Sequence, residues 1–238
     1  HAERIAAWQE VARRLAHEIK NPLTPIQLGA ERILRQCRKG SETLPQIIEK
    51  MLPAMISEVK AIERLVDEFA SFSRLPGKRI ERVALAGFID ETLSPVRSAH
   101  EEILVGWQLE PGLESAVFDK EQIRRAIVNL VQNSINAVAR TERAGRIEIL
   151  VQGLAGNIMF SIEDNGCGID PADGMQVFAP YFSRTEGGTG LGLSIVEKIV
   201  VDHGGKIWFE CSPGGTVFYL CIPENGISEP QAREKSVL

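Results

Sequence analysis

Apolar positions along this chain mark its elements before any composition does. From Trp8 they recur at Leu15, Ile19, Pro22, Ile26 and Ile33, in steps near three and four, which is the seam of an amphipathic helix. Lys39-Gly40-Ser41 interrupts the pattern and predicts a helix end and a turn. A second seam follows at Leu52, Met55, Val59, Ile62, Val66 and Phe69, spaced 3, 4, 3, 4, 3, the heptad rhythm of a coiled coil or bundle. Pro53 is best tolerated in a first helical turn, so residues 40–52 are expected to be partly irregular. Two such helices bury little alone. The hairpin is therefore expected to pair with a second copy as a dimeric four-helix bundle, which makes the chain a homodimer.

Past residue 78 the period changes. The pattern predicts helix over 86–99, strands at 103–109 and 115–118, and a long helix capped by Asp119 and running to about Ala139. Strands at 146–152 and 157–163 follow, then a Gly/Pro-rich loop over 165–190 and a helix from about Gly190 to His203. Strands at 206–211 and 216–222 close the series. Strands and helices do not alternate strictly, so the expected fold is a layered α/β sandwich with a mixed sheet, not a doubly wound parallel one. Leu75-Pro76-Gly77-Lys78 reads as an interdomain linker. The expected organisation is a hairpin at 1–75, a linker at 76–81, an α/β domain at 82–223 and a flexible tail at 224–238.

Composition narrows the class. With 44% hydrophobic and 25% charged residues the chain is an ordinary globular one, and its net charge of -5 argues against nucleic acid as a partner. No apolar run is long enough to span a bilayer, and no signal peptide opens the sequence. The chain begins at His1 already inside a helical pattern and is expected to be a fragment of something longer, so that any membrane segments would lie before His1. Cys37, Cys167, Cys211 and Cys221 form no CxxC pair and are expected to be reduced, mostly buried thiols.

Four stretches carry candidate chemistry. In Ala16-His17-Glu18-Ile19-Lys20-Asn21-Pro22-Leu23, His17 lies off the seam and faces water. A neutral imidazole can attack with one nitrogen, Glu18 can hold the other ring N–H and take up a proton, and Asn21 lies one turn on. Pro22 and Pro25 each remove a helical hydrogen bond while the seam continues in phase, so a kink is expected there. Asn129, Asn133 and Asn136 share one helix stripe, opposite Ile123, Ile127, Leu130, Ser134 and Val138. Three asparagines are poor material for a solvated helix face, which favours a binding role. Asp164-Asn165-Gly166-Cys167-Gly168 follows a strand, where a simple turn competes with a pocket floor. Gly188-Thr189-Gly190-Leu191-Gly192 opens a helix whose N–H groups can meet phosphates, yet it fits neither a Walker nor a dinucleotide motif.

In this order the four stretches resemble a sensor histidine kinase, over about residues 5–223: a phosphoacceptor hairpin followed by an ATP-binding domain of the gyrase, heat-shock-chaperone and histidine-kinase (Bergerat) type. The resemblance implies ATP with Mg²⁺ as cofactors, His17 as phosphoacceptor, Glu18 as its base, and Asn21 as the residue placing the water that dephosphorylates a partner. It implies Asn133 as the Mg²⁺ ligand, with Asn129 standing where ATP-hydrolysing relatives carry a glutamate base. Asn136, Gly166, Gly168, Gly188, Thr189, Gly190, Leu191 and Gly192 would line the nucleotide, Asp164 would accept the adenine amino hydrogen, and Thr216 would lie near the base. Phe178-Ala179-Pro180-Tyr181-Phe182 resembles the family's aromatic box, expected to anchor a lid over 171–189, with Arg184 just after it as a candidate phosphate contact. The wording around His17, together with Val-Asp-Glu-Phe-Ala-Ser-Phe-Ser at 66–73, is similar to nitrogen-regulation (NtrY-type) kinases. Those pass the phosphoryl group to an aspartate on a response regulator, so an NtrC/NtrX-like receiver domain is the implied partner. A chaperone-like ATPase or a non-catalytic dimerisation scaffold are the alternatives.

Overall fold

The computed structural model describes the backbone of residues 2–40, 42–73, 78–184, 189–212 and 214–225, and their side chains except at 2–18, 64, 67–73 and 212. Two compact units divide the chain, His1–Leu75 and Pro76–Leu238. No helix among the described residues is long and apolar enough to cross a membrane.

The first unit is a hairpin of α1 (Ala2–Arg38) and α2 (Leu44–Ser73). At its turn the Gly40 N–H bonds the Cys37 carbonyl, 3.1 Å away, and closes the end of α1. Gly29 lets the helices approach, because a methyl group there would sit 2.9 Å from Met55 Sδ. Leu65 is buried and Met51, Met55 and Ile62 are half-buried, so they form the seam inside one hairpin. Leu52, Ile56, Val59 and Val66, with Leu23, Leu28 and Leu34 of α1, stay 44–60% exposed and form a further apolar surface. The expected irregularity over 40–52 is narrowed to the turn before Leu44: α2 starts there, takes Pro45 in its first turn and carries Pro53 inside. Losing one backbone bond at Pro53 costs about 3 kcal/mol in a plain helix, and the apolar face packed on α1 offsets it.

The second unit runs β1 (Ile80–Ala84), α3 (Leu85–Ala99), β2 (Ile103–Leu109), β3 (Ser115–Asp119), α4 (Lys120–Val138), β4 (Gly145–Leu154) and β5 (Asn157–Asp164). After a 3-10 turn at Gly174–Phe178 come α5 (Gly192–Asp202), β6 (Lys206–Ser212) and β7 (Gly215–Pro223). The sheet order is β2-β4-β5-β7-β6, with β2 parallel to β4 and every other pair antiparallel, so the sheet is mixed as expected. Alternation decides its faces. Ile147, Ile149 and Val151 of β4, Ile158, Phe160 and Ile162 of β5, and Phe218, Leu220 and Ile222 of β7 are buried. They meet the buried sides of α3, α4 and α5, where Phe88, Phe118 and Phe160 make edge contacts at 5.4 and 6.2 Å.

Backbone pairing changes both edges of the expected domain. Ile80 and Glu81, expected in the linker, begin β1, which pairs antiparallel with β3. Residues 224 and 225, expected in the tail, pair as well: Val117 N–H donates to the Glu224 carbonyl and Asn225 bridges Val117. Neither segment has a hydrophobic period long enough to announce itself. The cysteine expectation is also corrected, since Cys37, Cys167 and Cys211 are exposed and Cys221 is half-buried, at a helix end, in a loop and in a hairpin at the sheet edge.

One buried polar cluster joins the entry of this unit to its helices. Asp119 caps α4 by accepting from Gln122 N–H, and its other oxygen accepts from Arg79 N–H at 2.7 Å. Asp119 N–H donates to His203 Nε2 at 3.3 Å, while His203 Nδ1 lies 2.7 Å from the Ile199 carbonyl. Only a neutral imidazole serves both bonds. Burial lowers the His203 pKa from its ordinary value of about 6.5. Its stabilising contribution is therefore present above that value and lost as pH falls toward the lowered one. We expect urea unfolding to show a loss of about 1 kcal/mol on acidification from pH 7 to pH 5 that His203→Gln lacks. An unchanged pH slope in that variant would dismiss the cluster as the cause.

Candidate functional site

α4 separates two chemistries on two stripes. Ile123, Ile127, Leu130, Ser134 and Val138 are buried against the sheet, whereas Asn129, Asn133 and Asn136 are half-buried. Asn129 Nδ2 donates to the Arg125 carbonyl at 2.9 Å, and Asn136 Oδ1 accepts from Gln132 Nε2 at 3.3 Å. Asn133 differs from both: its Nδ2 is buried with no hydrogen-bond partner. An amide nitrogen left unsatisfied at a half-buried position is uncommon in a folded protein and calls for an acceptor from outside the chain, water or ligand.

α5 brings the glycine run to the same place. Its first residue, Gly192, lies against Asn129, where a methyl group would be 3.2 Å from Asn129 Oδ1. Its far end, at His203, meets Asp119 at the start of α4. The two helices are thus antiparallel, and the N-terminus of α5 opens beside the asparagine stripe. Leu191 is buried, and its N–H bonds Thr189 Oγ1 at 3.4 Å. Gly190 takes φ +66° and accepts from Tyr181 N–H at 2.8 Å. Tyr181 is itself a buried residue at φ +66°, a strained backbone for a bulky side chain. Phe178 is equally buried, its ring 6.0 Å from that of Phe209, so Phe178 and Tyr181 of the aromatic box belong to the core, while Phe182 is half-buried.

The floor of the site comes from the sheet. Asp164 ends the inward row Ile158, Phe160, Ile162 of β5 and stands opposite Thr216 of β7, both nearly inaccessible. Asp164 Oδ1 accepts from Gly166 N–H at 2.9 Å and Oδ2 accepts from Ser134 Oγ at 3.0 Å. Burial pushes the Asp164 carboxyl above its ordinary value, and the Gly166, Ser134 and Thr216 backbone and hydroxyl bonds pull it part of the way back. Gly166 and Cys167 lie on the end of α4, with Cys167 N–H on the Ala137 carbonyl at 3.2 Å, and Gly168 turns the chain away.

Asn129, Asn133, Asp164, Gly166, Gly192 and Thr216 therefore surround the C-terminal half of α4, although they are spread over 88 residues of sequence. Arg184 is placed differently. Its Nη2 meets Asp173 Oδ1 at 2.6 Å, and Arg140 holds the Arg184 carbonyl at 3.0 Å. Asp173, Arg140 and Ser134 escaped the sequence reading; only Ser134 left a signal, as the lone polar residue on an apolar stripe. Gly188 lies outside the described residues, as do the side chains of His17 and Glu18, whose backbone is helical in α1. Asn21 is exposed on that helix, one turn after position 17.

A nucleotide with Mg²⁺ fits this donor set. Among the described residues no group of three or more His, Cys, Asp and Glu side chains is placed to hold a metal. Mg²⁺ keeps most of its water and needs only one or two protein oxygens beside phosphate oxygens, and the side-chain carbonyl of Asn133 is of that kind.

Comparison with known proteins agrees with the geometry. Residues 118–226 match the family described as histidine kinase-, DNA gyrase B- and HSP90-like ATPase, and residues 7–78 match the His Kinase A (phospho-acceptor) domain. The nitrogen regulation protein NtrY of Azorhizobium caulinodans is 36% identical over 218 residues, covering 90% of this chain and 28% of that protein. The chain spans about a third of the length of the curated relatives it matches. The solved catalytic domain of histidine kinase ThkA is 30% identical with a TM-score of 0.56, covering 62% of this chain and 97% of that one. Histidine kinase ThkA in complex with response regulator protein TrrA is 27% identical with a TM-score of 0.75, covering 94% of this chain and 64% of that one. A phospho-acceptor hairpin, an ATP-binding α/β unit and these likenesses agree: the chain belongs to the sensor histidine kinase family.

Proposed function

We propose that this chain is the cytoplasmic kinase core of a two-component sensor, which transfers the γ-phosphoryl group of ATP to His17 and then to an aspartate on a response regulator. The observation that carries the reading is the placing of a buried carboxylate, Asp164, against Ser134 of α4, directly after Asn133, whose buried Nδ2 has no partner in the chain. The charge of Asp164 suits the amino hydrogens of adenine, and Thr216 lies opposite it. Asn133 would hold Mg²⁺, which draws charge off the phosphate oxygens and orients them. Asn129, bonded to its own helix, has no base to offer water, so the site favours transfer over hydrolysis.

His17 acts as a neutral imidazole. One ring nitrogen forms a bond to the γ-phosphorus as the bond to the β,γ-bridging oxygen breaks and ADP leaves. Glu18 holds the other ring N–H and receives its proton. Asn21, on the same face one turn later, would orient the water that reverses the regulator's phosphorylation.

The exposed apolar positions of α1 and α2 match a second hairpin, which supports a homodimer. The likeness to NtrY supports an NtrC/NtrX-like regulator as the phosphoryl acceptor. The test is incubation with γ-labelled ATP and Mg²⁺: the reading expects a protein label that acid removes and alkali does not. Steady release of free phosphate with no labelled protein would turn the reading into that of an ATPase.

A further inference from the structure

The inner stripe of α4 carries one polar residue. Ile123, Ile127, Leu130 and Val138 fill it with hydrocarbon, and Ser134 interrupts them at 0% exposure. A hydroxyl buried among such neighbours is unfavourable unless it is bonded, and in a helix its usual partner is the carbonyl one turn back. Ser134 Oγ donates instead across the core to Asp164 Oδ2 on β5. It is the only side chain bonded to that carboxylate among the described contacts; the remaining donors, at Gly166 and Thr216, are backbone.

The count of acceptor sites gives this bond a consequence. A carboxylate has about four lone-pair directions. The Ser134 hydroxyl, the Gly166 N–H and the Thr216 backbone occupy three of them. The direction left over is then fixed by the protein and not by rotation about the Asp164 side chain.

We propose that Ser134 is a positioning residue for base recognition: by holding the Asp164 carboxylate in one orientation, it gives the site its preference for a purine carrying an amino group at carbon 6. The inference rests on the reading of Asp164 as the acceptor for the adenine amino hydrogen. Without the hydroxyl, Asp164 keeps only its backbone donors, turns more freely, and meets the amino hydrogen in fewer of its orientations. The hydroxyl also opposes the effect of burial, which favours a protonated carboxyl that would donate where it must accept.

The experiment compares two ligands on the whole chain with Mg²⁺: ATP, and purine riboside triphosphate, which is ATP without the 6-amino group. Affinities come from competition against a fluorescent nucleotide. Ser134→Ala is expected to weaken ATP about tenfold, the scale of one hydrogen bond to a charged group. It should leave purine riboside triphosphate within about twofold, so that the preference for ATP shrinks. Ser134→Thr, which restores the hydroxyl, should recover the preference. Equal weakening of both ligands, with the ratio unchanged, would mean a structural serine and overturn the inference. Asp164→Ala, or Asp164→Asn should the first not fold, separates the two claims. If the ratio survives loss of Asp164, or the unsubstituted chain shows no preference, the reading of Asp164 fails. If the ratio collapses without Asp164 but survives in Ser134→Ala, the positioning role alone fails.

Discussion

Alanine in place of Asn133 is expected to weaken Mg²⁺-dependent ATP binding by on the order of a hundredfold and to abolish labelling. His17→Gln should take no label either, yet bind ATP as the unsubstituted chain does. The contrast follows from where each residue sits. Asn133 lies on α4 in the second unit, with a buried Nδ2 that nothing in the chain satisfies, so no internal hydrogen bond of that nitrogen is lost when it is removed. Asn133→Ala also raises helix propensity by a few tenths of a kcal/mol. A thermal unfolding midpoint at or above that of the unsubstituted chain, with binding gone, is the expected pattern. His17 lies on α1, in the other unit. Isothermal titration with a non-hydrolysable ATP analogue, with and without Mg²⁺, beside a labelling assay, measures both. Intact Mg²⁺-dependent binding in Asn133→Ala would remove that residue from the metal site. Undiminished label in His17→Gln would place the acceptor elsewhere.

Much of this arrangement was legible in the sequence because its signals are local and periodic. The Asn129/Asn133/Asn136 stripe is a helical period, and Asp119 is a cap whose side chain does bond Gln122 N–H. Asp164 stands where a β alternation of inward residues ends, so its burial follows from the parity of Ile158, Phe160 and Ile162. What escaped depends on contacts between distant segments. β1 is a strand because Ile80–Ala84 finds β3, and five residues carry too short a pattern to say so. Pro53 looked like a helix start since a proline's local cost is visible and the packing that offsets it is not. Asp173 lies outside any periodic pattern, and its pairing with Arg184 links positions 11 apart in the chain. Ser134 was visible as an exception on an apolar stripe, but its meaning needed Asp164 across the core.

Gly215→Ala is expected to lower the stability of the second unit by about 3 kcal/mol or more and to weaken ATP binding with it. Gly215 opens β7 at φ +145°, a backbone that residues with a side chain rarely adopt. The space is closed as well. A methyl group there would overlap the carbonyl oxygen of Asp164 and lie 2.7 Å from its carbonyl carbon and 2.9 Å from Asn165 Cα. These are backbone atoms at the end of β5, held by the Asp164–Thr216 register, so no side chain can yield. Relief requires the start of β7 to move off β5, and that movement separates Asp164 from Thr216. Stability and base recognition should therefore fall together. Gly87→Ala in α3 is the control: an added methyl meets nothing within 4 Å there. It should be neutral or stabilise by up to about 1 kcal/mol through helix propensity. Urea unfolding of both variants, with nucleotide affinity measured under native conditions, reads the two effects. A Gly215→Ala chain as stable as Gly87→Ala would mean that the ends of β5 and β7 tolerate separation. The pocket floor would then owe its shape to the α4 contacts of Asp164, and the burden of base recognition would pass to Ser134 and Gly166.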